Sequence, residues 1–188
     1  MAEWVSSFIE NGIGLPKVIG DILGVAMFSV MLGIGRTVYA KIGKNISSVM
    51  LWGMAGAVVC YLAASLSLDP AISLVACAFA GLCVSMLWPG TLIYMEENFR
   101  NAGVAVYALM AAGGDLGASL APQLVGIVSD KIALLDIAAS IAGELGITAE
   151  QVGIRMGMLV ACIFPLAGVI VILVMKRFFK GRKGIFST

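Results

Sequence analysis

Apolar residues in this chain fall into five long runs, Val18–Ile34, Ile46–Leu68, Ala71–Met95, Ala102–Val128 and Ile154–Met175, separated by short polar breaks. Each is near or above the ~18 uncharged residues that a helix needs to cross a bilayer. The pattern predicts five membrane-spanning helices, and an odd number puts the two ends on opposite sides. Ahead of the first run, Trp4–Ile9 reads as the end of a helix followed by the breaker Asn11-Gly12-Ile13-Gly14-Leu15-Pro16. Between the fourth and fifth runs, the break from Ser129 to Gly153 is too long for a turn. There Leu134, Ile137, Ile141 and Leu145 share a helical face from which Asp136, Ser140 and Glu144 are displaced. This predicts an amphipathic helix over residues 130–146, lying along the outer surface. Thr148-Ala149-Glu150-Gln151 has the form of a capping box opening the last span.

Composition agrees with the runs. Of the 188 residues, 61% are hydrophobic and 12% charged, and a soluble domain carries about twice that charged fraction. The fold class expected is all-α and integral to a membrane. A net charge of +1 leaves no electrostatic footprint for nucleic acid. The chain has no histidine, the commonest proton shuttle and metal ligand. Cys60, Cys77, Cys83 and Cys162 all lie inside apolar runs without CxxC spacing, which argues against disulfides or a metal. Met1–Pro16 carries Glu3 and Glu10 and lacks the basic start and small-residue cleavage site of a signal peptide. Walker, HExxH and GxSxG motifs are absent, so neither an enzyme nor a cofactor-binding protein is expected.

Charge predicts the orientation. With the N-terminus outside, the inner segments hold Arg36, Lys41, Lys44, Arg100, Lys176, Arg177, Lys180, Arg182 and Lys183. The outer segments then hold only Lys17, Lys131 and Arg155. Cytoplasmic loops collect Lys and Arg, so the expected layout is N-terminus out and C-terminus in, within the cell (inner) membrane.

Against this apolar background two acids stand out, because a charge at the centre of a span costs at least ~2.5–3.5 kcal/mol. Asp21 lies near the outer start of the first run, four residues after Lys17, where an interfacial pair is the simple account. Asp115 stands in the middle of Ala102–Val128, which has no other charge. On a helix, Asp115, Ser119 and Gln123 form a polar stripe at i, i+4 and i+8, while Gly113, Gly117 and Ala121 form a small-residue stripe nearly opposite. The expectation is one face packed closely on a neighbouring helix and the other turned to a polar cavity. In the third run, Pro89 is expected to kink the helix, and Ser85 and Trp88, three apart, are expected to share a face and line a pocket. The segment Gly33–Lys44 reads as a tight basic inner loop carrying Arg36, Lys41 and Lys44.

These features together resemble the C-terminal half of the major facilitator superfamily of secondary transporters. Gly35-Arg36…Lys41-Ile42-Gly43-Lys44 is similar to the basic loop between that family's eighth and ninth helices. Trp88-Pro89-Gly90 resembles its tenth helix, and Gly157…Phe164-Pro165 its twelfth. Gly113-Gly114-Asp115-Leu116-Gly117-Ala118-Ser119-Leu120-Ala121-Pro122…Gly126…Ser129-Asp130 is similar to the eleventh. Ala40 stands where the family's loop commonly has an acid. The resemblance implies five spans plus a helix remnant at Met1–Phe8, forming half of a twelve-helix fold whose N-terminal half is the missing partner. It also implies that the chain is a fragment that would not transport alone. A small solute would bind between the two halves near the membrane midplane, with Asp115, Ser119, Gln123, Ser85 and Trp88 as candidate coupling or lining residues. The rival expectation is a small membrane scaffold that helps another membrane protein assemble.

Overall fold

The computed structural model describes residues 10–11, 18, 24–43, 45–99 and 103–183, with backbone alone from 179 onward. Lys17, Asp21, Lys44, Arg100 and all of the N-terminal helix remnant lie outside the described residues. Eight α-helices and no strand are present among those described: α1 Ala26–Ile42, α2 Ile46–Leu66, α3 Pro70–Val84, α4 Leu87–Asn98, α5 Val104–Ala133, α6 Asp136–Leu145, α7 Ala149–Ala161 and α8 Ile163–Lys183. Four stretches are long and apolar enough to cross a membrane: Ile46–Leu66, Pro70–Asn98, Val104–Ala133 and Ala149–Phe178. α1, with 17 described residues, falls outside that group.

The helices stop where local chemistry stops them. α1 runs eight residues beyond the expected end of the first span. Thr37 Oγ1 donates back to the Gly33 carbonyl at 2.9 Å within it, and it closes at Gly43 in the left-handed region at φ 57°. Arg36 and Lys41 therefore lie on a helix, not in the loop expected over Gly33–Lys44. Asp69 caps α3 by accepting from Ala71 N at 2.8 Å, with Pro70 in the first helical turn. Thr148 and Gln151 form the expected capping box at the start of α7.

The amphipathic element is shorter than 130–146, because α5 continues to Ala133 and α6 begins only at Asp136. Its bundle-facing side is also different: Ala138 and Ala142 are buried with Val152, whereas Leu134 and Ile137 stay outside the bundle. Small side chains let α6 lie close on α7, which the larger residues could not.

α2 lies at the centre, packed on α3, α4, α7 and α8, and α5 packs mainly on α7. Lys176 near the end of α8 donates to Ser48 Oγ at the start of α2, at 3.2 Å, so the two run antiparallel. At the other end, Arg155 of α7 is 8% exposed and donates to the carbonyls of Ser65 and Ser67. A cation there satisfies carbonyls left open where α2 ends. Arg155, expected among loop charges, is thus a buried fastening between two helices. Among the described residues, no buried side-chain polar atom lacks a hydrogen-bond partner, as a hydrocarbon setting demands.

The α5–α7 crossing relies on Gly153 and Gly157. A Cβ on either would collide with Ser129 of α5, and one on Gly157 would also crowd Val125. The expected contact stripe on α5 does not serve this purpose. A Cβ on Gly113 or Gly117 would meet no heavy atom within 4 Å.

Candidate functional site

The third span breaks at Ser85–Met86, dividing α3 from α4, where Met86 has φ −100° and ψ 5°. Pro89 explains the position. It has no N–H to donate to the carbonyl four residues back, and its ring crowds that carbonyl. The carbonyl belongs to Ser85, and its replacement donor comes from another helix: Arg36 Nε of α1 lies 3.2 Å from Ser85 O. Ser85 itself is buried, and its hydroxyl donates to Leu82 O at 2.7 Å.

Backbone contact at the break is close because glycines face it. A Cβ on Gly35 of α1 would lie 2.7 Å from Ser85 Cβ, and one on Gly53 of α2 would strike Cys83 O. Ser85 borders a cavity of about 440 Å³ that is also lined by Tyr39, Asn45 and Ser48, where the end of α1 meets the start of α2.

One turn beyond the break, Trp88 points elsewhere. It does not line the cavity that Ser85 borders, and where Ser85 is buried the indole reaches α5. Trp88 is 47% exposed and its ring covers the backbone of α5 at Gly114. A Cβ there would lie 2.9 Å from ring atom Cη2 and 3.3 Å from Cε3. The residue next to Gly114 is Asp115, so the indole marks one edge of the polar stripe.

The stripe faces outward. Asp115, Ser119 and Gln123 are all exposed, and Ser119 Oγ donates to Asp115 O at 2.7 Å. No residue in the most apolar eighteen-residue stretch of α5 is buried in the bundle. The expected polar cavity is not enclosed by the described helices. Gly117 and Ala121, on the other side of α5, line an apolar cavity of about 310 Å³ together with Phe28, Tyr61 and Phe164. Asp115 to Gln123 spans roughly 12 Å along the axis at 1.5 Å per residue, a length suited to several contacts with one solute.

The folded chain therefore joins some expected residues and separates others. Arg36 meets Ser85, and Trp88 meets the helix of Asp115. Lys41 is exposed on α1. Two participants were not anticipated. Gly114 is the site of close approach, for which the only sequence signal is the Gly113-Gly114 pair beside the acid. The target of Arg36 was signalled by Pro89, since a proline always leaves the carbonyl four residues earlier without its helical donor. Comparison with protein-family models, with curated proteins and with solved structures finds no match to this chain.

Proposed function

We propose that the chain is one helical bundle of a secondary transporter of the major facilitator kind. It would move a small solute by alternating access, with a second bundle facing α5. The observation that carries this reading is the exposed stripe Asp115–Ser119–Gln123 in the middle of a 30-residue apolar helix. A carboxylate facing lipid at that depth is costly, and intramembrane acids face a bundle interior or a water-filled path. The open side of α5 accordingly calls for a polar counterpart, which a second bundle around a solute path supplies. In this reading Asp115 binds a proton or a charged group of the solute. Ser119 and Gln123 offer hydrogen bonds along the path, and Trp88 supplies an aromatic wall.

The test uses the chain in the cells that produce it, with whatever bundle completes it. Uptake of labelled sugars, organic acids and cationic drugs is compared in wild type, a deletion strain and Asp115→Asn, with and without a proton gradient. Loss of one solute class on deletion is expected. Asp115→Asn should abolish gradient-driven accumulation of that solute while downhill exchange persists. Accumulation unchanged in Asp115→Asn sinks the coupling role. A deletion strain with unaltered uptake of every solute sinks the transport reading.

A further inference from the structure

We infer that Arg36 is a positioning residue, which latches the break between α3 and α4 and thereby sets where Trp88 lies against Asp115. Four observations meet at one point. Pro89 deprives Ser85 O of its helical donor. Met86 leaves helical geometry at that position, at φ −100° and ψ 5°. Arg36 Nε supplies a donor from α1 at 3.2 Å. Gly35, the neighbour of Arg36, allows the approach, since a Cβ there would come 2.7 Å from Ser85 Cβ.

A bond from a charged guanidinium to a carbonyl is among the stronger kinds, and in low dielectric an unpaired carbonyl is costly. With Arg36 in place, α4 is held in one direction relative to α3. Without it, the freed carbonyl must find another donor, and α4 is released to swing about Met86. Trp88 lies two residues beyond that pivot and seats on Gly114, beside Asp115. The latch thus transmits the position of α1 to the wall of the candidate solute path. The relevance to transport rests on the function proposed above; the mechanical coupling does not.

Pro89 makes the test specific. Pro89→Ala restores an N–H to Ser85 O within the helix, so Arg36 should become dispensable. The experiment uses the full chain with Trp4→Phe and Trp52→Phe, leaving Trp88 as the sole indole, reconstituted in lipid vesicles. Emission maximum and acrylamide quenching are recorded for Arg36→Met, which keeps the length of the side chain and removes its donors, for Pro89→Ala and for the double variant. Losing the bond should shift the population in which Trp88 has left Gly114 by about tenfold or more, the worth of one charge-assisted hydrogen bond. Arg36→Met should therefore move the emission and raise quenching, whereas the same change in the Pro89→Ala background should do neither. Equal effects of Arg36→Met in both backgrounds overturn the latch, as does no effect in the Pro-containing chain. If Arg36→Met fails to accumulate, rescue by Pro89→Ala supports the latch, and absence of rescue overturns it. None of these readouts requires transport, so the latch and the transport reading can fail separately.

Discussion

At the scale of single residues, Arg155 and Arg36 do related work at two separate places in the bundle. Each brings a guanidinium to carbonyls that a helix cannot satisfy. Arg155 serves the open end of α2 through Ser65 and Ser67, and Arg36 serves the carbonyl orphaned by Pro89. Arg155→Met keeps the length of the side chain and removes its donors. It should destabilise the protein by about 1–3 kcal/mol, the cost of buried acceptors left unpaired. Unfolding midpoints in mixed detergent micelles measure this, and a midpoint equal to wild type rules out a stabilising role. The charge of Arg155 was legible in sequence, but its burial was not. Its partners lie 88 and 90 residues away, beyond any local pattern.

Between elements, the decisive residues are the glycines that let helices touch. Gly113, Gly117 and Gly157 look alike in sequence, each set in a small-residue stripe. In the folded chain a Cβ on Gly157 collides with Ser129, while one on Gly113 or Gly117 enters open space. Gly157→Ala should thus push α7 from α5 and cost about 1–3 kcal/mol, as overpacking does. Gly117→Ala should be neutral or stabilise by up to ~1 kcal/mol through helix propensity. Thermal unfolding of the two variants in the same detergent separates them, and equal losses would contradict the assigned crossing. Which stripe packs depends on which face a neighbour occupies, and spacing along one helix carries no such information.

For the whole molecule, up-and-down packing around α2 gathers Lys41, Lys176 and Arg177 at one end and Asp69, Asp136, Glu150 and Arg155 at the other. The positive-inside rule predicts a cytoplasmic basic end, so a cysteine at Asn45 should be hidden from an impermeant maleimide applied to intact cells. A cysteine at Ser140, on the exposed side of α6, should react. Both are placed in a chain whose four native cysteines are alanine, and the opposite labelling pattern would invert the topology.

Long apolar runs, a capping box at Thr148–Gln151, an acid alone in mid-span and a proline that must free a carbonyl were all determined by the sequence itself. Each depends on bonds or periodicities within a few residues, so the local chain specifies it completely. Tertiary structure decided the rest. It extended α1 past Arg36, turned Ser85 and Trp88 apart and placed the close crossing at Gly153 and Gly157. It also left the Asp115 stripe on an uncovered side. Those outcomes turn on which helix faces meet, and close approach between distant segments is settled only when all of them pack at once.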